Sequence, residues 1–146
     1  MRRVLVGLLA AVGALHLGSL ALSWMFSPDY SYSSVPADTD ARSFPAPDGA
    51  HKAVSFVSAG GGGLSPYCFQ IVGVVEAARP DANALAPANM VFRSDCDGMV
   101  PYKEIMWKSA SELQIGIDVS KMSDVHLKGY IHVSDGEIKV TYIDHP

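Results

Sequence analysis

Charge is missing from the start of the chain and lopsided beyond it. Between Val4 and Phe26 there is no Asp, Glu, Lys or Arg. The whole chain holds 11 Lys plus Arg against 15 Asp plus Glu, so it has no basic excess with which to grip a phosphate backbone, and nucleic acid is excluded as a partner. Cysteine is limited to two residues, with no CxxC or HxxxH spacing, which leaves no common zinc framework. After residue 27 no segment keeps a helical period for ten residues. Signatures of nucleophilic or phosphate chemistry are also missing: no serine sits in GxSxG, and no Gly-Lys-Ser/Thr follows the glycine run. A length of 146 residues with 49% apolar side chains allows one domain and excludes wholesale disorder.

What is present begins with Met1-Arg2-Arg3 and the uncharged run of 23 residues, in which His16 is the only titratable side chain. As a helix that run is roughly 34 Å long, enough to cross a hydrocarbon core of about 30 Å. Trp24 suits the far interface, and Ser27-Pro28-Asp29 ends the helix. The arginines precede the run and no Lys or Arg follows until Arg42, so the positive-inside bias keeps the N-terminus in the cytoplasm and exports the rest. A cleaved secretory signal is the competing reading: Val4 to Leu15 has h-region length, and Ala21-Leu22-Ser23 offers small residues to a peptidase. Both readings export the chain; the uninterrupted length favours an uncleaved anchor over residues 1–26. A buried core helix is disfavoured, because the run has no polar face.

Residues 27–50 are rich in Ser, Pro, Asp and Ala and lack apolar periodicity, which predicts an extended tether. Without Arg2 and Arg3 the exported part has nine basic against 15 acidic residues, a net charge of -6 that repels anionic headgroups and tolerates a cationic partner.

From residue 51 to 146 the signals are strand and turn. Pro47-Asp48-Gly49 forms a turn before the strand Lys52–Ser58. Gly60 to Gly63 make a hairpin loop, and Tyr67–Val75 is the most apolar run, hence central. Residues 76–88 read as a long connection and Asn89–Arg93 as a short strand. Further strands are expected at Lys103–Trp107, Glu112–Asp118, Val125–Val133 and Glu137–Ile143. Leu113, Ile115 and Ile117 show the period of two of a half-buried strand, and Ser134-Asp135-Gly136 marks a hairpin of type I′. The expected fold is mainly β: an N-terminal transmembrane or signal helix, then an antiparallel sheet or sandwich of about seven strands.

Cys68 and Cys96 both lie in the exported part, where an oxidising compartment makes a disulfide the default. Two separate thiols are the alternative; Asp95 and Asp97 would raise the pKa of Cys96 and blunt it as a nucleophile. Asp95-Cys96-Asp97-Gly98 fails as an EF-hand loop, since Gly98 comes at position 4 and Met106 occupies position 12. His126 and His132, on one expected strand, would lie about 20 Å apart, too far to share an ion. His51 and His145 carry no pattern. No catalytic residue, metal ligand or cofactor is assigned. Tyr102 and Trp107 are the candidate binding residues, as aromatic anchors on a flat face; packing of Trp107 at the core edge is the plainer reading.

Pro47-Asp48-Gly49 before Ala53-Val54-Ser55-Phe56, and Trp107-Lys108-Ser109 before Leu113-Gln114-Ile115, resemble the SPDG…A.F and W.S…L.I signatures of Tol-type β-propeller blades. With Asn89, Val91 and Phe92 between, the order over residues 44–143 is also similar to small uncharacterised bacterial proteins that carry one N-terminal membrane helix and a short β domain. Ala46 stands where propeller repeats usually have Ser, and the chain is too short for a closed propeller of at least four blades. That resemblance implies no catalytic residues.

The expectation is a single-pass envelope protein, anchored in the lipid bilayer of the cytoplasmic membrane through residues 4–26 and displaying a non-enzymatic interaction module to the periplasm, or secreted if the signal is cleaved. Its partner would be an envelope protein. The alternatives are an immunity-type protein that neutralises a basic toxin, and a small envelope hydrolase built on Asp95, Asp97 or a histidine. High Ala and Gly usage points to a bacterial source.

Overall fold

Two long runs rich in β-branched and aromatic residues, His51–Gly60 and Tyr67–Glu76, pair antiparallel from His51↔Glu76 to Gly60↔Tyr67. They are strands β2 and β3 of a computed structural model that describes residues 40–60 and 67–145. The other strands are β1 (Asp40–Pro45), β4 (Met90–Asp95), β5 (Ile105–Ser109), β6 (Glu112–Ile117), β7 (His126–Leu127), β8 (Tyr130–Val133) and β9 (Gly136–Asp144). One sheet has the order β1-β2-β3-β4-β7, the other β5-β6-β9-β8. The fold is mainly β, as the strand signals predict.

The sheets face each other across one core. Ala53, Val72, Val74 and Phe92 from the first meet Ile105, Leu113, Ile115, Ile131, Ile138 and Val140 from the second. The opposite face of the first sheet is covered as well. A 3-10 turn at Asp81–Leu85 lays Ala84 and Leu85 over Val54, Phe56, Ile71 and Val75. Both faces of β3 are therefore buried, which explains its apolar run Ile71–Val75. Gly73 sits at a register shift of β3 against β4, and a Cβ there would collide with the carbonyl of Ala84. The irregular 76–88 connection is thus the lid of a second core.

Several expectations need correction. Strand β1 lies inside the stretch read as a tether over 27–50, and pairs along its whole length with β2, from Asp40↔Val57 to Pro45↔Lys52. Its polar residues suit an exposed edge strand, so composition alone mimics a linker. The single strand expected at Val125–Val133 is two strands in different sheets, because the chain crosses at Lys128-Gly129. These two changes turn about seven strands into nine. The sheets are not wholly antiparallel: β6 and β9 run parallel, since the chain visits the first sheet at β7 before returning. The hairpin at Ser134-Asp135 forms, but not as type I′. No described non-glycine residue has positive φ, and Gly136 carries it instead, at 151°.

Cys68 and Cys96 form a disulfide, with Cα atoms 5.3 Å apart. Among the described residues no helix is long and apolar enough to cross a membrane; residues 4–26, assigned to the anchor, lie outside them.

Candidate functional site

The turn between β8 and β9 reaches across the sandwich to the first sheet. Ser134 Oγ donates to Glu76 Oε1 at 2.8 Å, and Asp135 Oδ1 lies 3.3 Å from His51 Nε2. The pairing of His51 with Glu76 at the end of the β2–β3 ladder sets both targets side by side. Alternation puts them on the face that meets the second sheet, with Ala53 and Val74. The Ser134 hydroxyl, with the Arg79 guanidinium behind it, holds the Glu76 carboxyl below its ordinary value despite some desolvation.

A cleft lies on each side of this contact. The larger, about 270 Å³, is lined by Glu76, Arg79, Asn83, Asn89 and His132 around Ser134. The smaller, about 120 Å³, has Asp48, His51, Ser111, Asp135 and Glu137 in its wall. His51 is only 4% exposed, and its Nε2 makes no hydrogen bond: Asp135 is close enough but misaligned. Asp48 is placed by the Pro47-Asp48-Gly49 turn, where its Oδ1 accepts from Ala50 N at 3.0 Å and Gly49 takes φ 72°.

Neither cleft shows a hydroxyl poised beside an imidazole. The Ser134 hydroxyl donates to the Glu76 carboxylate, not to an imidazole. Among the described residues no group of three or more His, Cys, Asp or Glu is arranged to hold a metal ion.

The candidate binding aromatics both pack on β1. Trp107 is half-buried and its Nε1 donates to Phe44 O at 2.8 Å. Tyr102 donates to Asp40 at 3.0 Å, with the Arg42 guanidinium 4.2 Å from its ring centroid and the Phe44 ring 6.2 Å away. Burial, helped by Asp40, pushes the Tyr102 hydroxyl above its ordinary pKa. Asp95 caps the 3-10 turn at Cys96–Gly98, accepting from Gly98 N at 3.2 Å and from the Ser123 hydroxyl, while Asp97 is exposed. These hydrogen bonds, the Ser123 hydroxyl first, lower the Asp95 pKa. His126 and His132 stand on different sheets, not on one strand.

A second surface lies along the crossing from β7 to β8. Val125, Leu127 and Tyr130 are 42%, 42% and 54% exposed, and β8 ends its sheet. Nothing local marks His51 or Glu76 as site residues; their partners come from a turn far along the chain. Only the Asp-Gly signal at 135–136 hinted that this turn projects. Compared with known proteins, the chain matches no family model, no curated protein and no solved structure.

Proposed function

We propose that the chain is a membrane-anchored, non-enzymatic interaction module of a bacterial envelope. Residues 4–26 hold it in the cytoplasmic membrane with the N-terminus inside, and the β-sandwich faces the periplasm. The charge-free run of 23 residues behind Arg2 and Arg3 supports that placement. So does the Cys68–Cys96 bond, since disulfides persist in oxidising compartments and are rare in the cytosol.

The observation that carries the interaction role is the apolar edge of β7 and β8. Val125, Leu127 and Tyr130 are large apolar side chains at a strand edge, the kind of surface to which an extended segment adds as a further strand. A periplasmic protein segment docked there would hydrogen-bond the free edge of β8 and cover these side chains. An immunity-type version, with a basic toxin as partner, is favoured by the net charge of -6 on the exported part.

A photo-crosslinking residue in place of Tyr130 tests the role in membranes from cells producing the full chain. A discrete adduct from position 130, absent when the crosslinker replaces Lys103, is the expected result. No adduct from position 130, or the same adduct from both, overturns it. Alkaline phosphatase fused after His145 tests the placement separately: it is active only if the domain is exported.

A further inference from the structure

Resting on the edge-docking reading above, we infer that the partner strand on β8 seats a carboxamide side chain, Asn or Gln, in the larger cleft. The occupant is an extended protein segment with amides on its inward face and apolar or aromatic groups on its outward face.

The β8 edge is open and unguarded. Val140 N donates to Gly129 O at 2.8 Å, and the β8–β9 register continues from Tyr130↔Lys139 to Val133↔Gly136. Hydrogen-bonded pairs alternate along an antiparallel ladder, so Ile131 and Val133 spend their backbone groups on β9, while Tyr130 and His132 aim their N–H and C=O the other way. Among the described residues no backbone group outside the ladder bonds to Tyr130 or His132. The other edges are guarded: β1 carries Asp40, Arg42 and Pro45, β5 carries Lys108, and β7 has only two residues. Strand β8 holds no Asp, Glu, Lys, Arg or Pro.

The cleft beside that edge selects the partner's chemistry. It measures about 270 Å³, runs past His132 and Val133, and is walled by Val75, Arg79, Asn83 and Asn89. A strand paired with β8 keeps the side chains opposite Tyr130 and His132 on the outer face, where those two rings lie 5.4 Å apart, and turns the one opposite Val133 inward. Charge in the cleft is already matched: Glu76 Oε1 accepts from Ser134 Oγ at 2.8 Å, and Oε2 lies 3.5 Å from Arg79 Nε. An incoming carboxylate meets Glu76 and an incoming ammonium meets Arg79, so each sign is opposed by one member of that pair. Amide chemistry remains. Asn89 Nδ2 donates to Asn83 O at 2.9 Å, and among the described residues neither Asn89 Oδ1 nor the Asn83 side chain has a hydrogen-bond partner. A carboxamide answers both, since it carries donors and an acceptor. The volume is the liquid share of about nine waters, enough for one such side chain and below the range of about 300–1,000 Å³ typical of small-molecule pockets.

The test titrates acetyl-Tyr-Gln-Thr-Gln-Val-amide into the full ¹⁵N-labelled chain in detergent micelles. As a strand this peptide shows both Gln side chains on one face and the rest on the other. Saturable shifts are expected at the backbone amides of Tyr130 and His132 and at the side-chain amides of Asn83 and Asn89. N-methylation of the peptide's Thr nitrogen, which blocks a hydrogen bond to β8, should weaken binding about tenfold, as should Glu or Lys in place of both Gln. Asn83→Ala, at an exposed position, should weaken the Gln peptide about fivefold. His132→Pro deletes an N–H that β9 does not use and should abolish the shifts; unchanged β2 and β3 amides show that it folds, and the N-methylated peptide makes the same point without a variant. Equal binding by the N-methylated peptide overturns the inference and edge docking together. Glu or Lys peptides as tight as the Gln peptide, or no saturable shift while the position-130 crosslink still forms, overturn the carboxamide assignment alone and leave docking on β8 standing.

Discussion

Gln70 holds Val100 by both ends of its amide: Oε1 accepts from Val100 N at 2.6 Å, and Nε2 donates to Val100 O at 3.1 Å. The same Nε2 donates to Ser55 Oγ at 2.9 Å, and all three residues are buried. This pins the loop after the Cys96–Gly98 turn to the middle of β3 by imitating a strand partner. Gln70→Leu removes the amide but leaves the buried peptide groups of Val100 without partners. A loss of about 2–4 kcal/mol is expected, read as a lower urea midpoint at unchanged slope. Gln70→Glu keeps the acceptor and loses the donor, and should also destabilise.

Strand β1, paired with β2, is also held by Trp107. Its Nε1 hydrogen bond to Phe44 O joins residues 63 apart in sequence and ties an edge strand of one sheet to an edge strand of the other. Trp107→Phe keeps a six-membered aromatic ring and deletes this donor with the rest of the pyrrole ring. The expected cost is about 1 kcal/mol, with faster hydrogen exchange at Ser43 and Phe44 and little change in β3. Exchange that speeds up equally everywhere would refute a local role.

The strands that the sequence predicts are those whose own side chains reach a core. In β6, Leu113, Ile115 and Ile117 alternate because their face meets the core, and the sequence displays that period even though Gln114 and Gly116 between them are also buried. The Cys68–Cys96 pairing was legible because the chain has only two cysteines, so a disulfide within it can form in one way. By contrast β1 looks like a linker because its order comes from pairing with β2, not from its own residues. The break at Lys128-Gly129 is set from elsewhere: Tyr142 Oη contacts Val91 O at 2.6 Å, 51 residues away. His51 and Glu76 were invisible because the Ser134–Glu76 contact spans 58 residues. Long-range contacts of this kind leave no local period to read.

Removing the disulfide should cost stability without changing the fold. The bond joins residues 28 apart, and closing a loop of that length is worth roughly 3.5 kcal/mol in the chain-entropy model. It ties the start of β3 to the end of β4, where Phe69↔Asp95 already pairs. Cys68→Ser with Cys96→Ser is therefore expected to lower the thermal midpoint by about 15–25 °C while leaving the far-ultraviolet spectrum unchanged.

Acid should loosen the loops before the core. Glu76, Asp81, Asp95 and Asp118 all have lowered pKa values: Ser134 acts first on Glu76, Lys52 on Asp81, Ser123 on Asp95 and Lys121 on Asp118. A carboxylate with a depressed folded-state pKa adds stability above its unfolded value of about 4, and that contribution fades as pH falls through the folded value. Stability should thus be level from neutral pH to about 5 and decline below 4. Asp95→Asn should flatten part of that decline, which acid titrations of the two proteins in urea would show.

Alkali should act through one tyrosine. Tyr142 on β9 places its hydroxyl between the two sheets, 2.6 Å from Val91 O and 3.1 Å from Lys128 O, and accepts from Lys128 N at 3.2 Å. Burial pushes its pKa up to about 12, against the slight opposing effect of the Lys128 backbone hydrogen bond. For an acid with a raised folded-state pKa, the neutral form is what the fold holds. Its contribution is complete below the unfolded value of about 10 and is lost as pH rises toward 12, about 3 kcal/mol in all. Tyr142→Phe removes the titration and the hydrogen bonds together. That variant should be weaker by about 1–2 kcal/mol at pH 7, yet show less further loss between pH 10 and 12 than the parent chain. Parallel stability curves for the two proteins across that interval would show that the hydroxyl does not link the sheets.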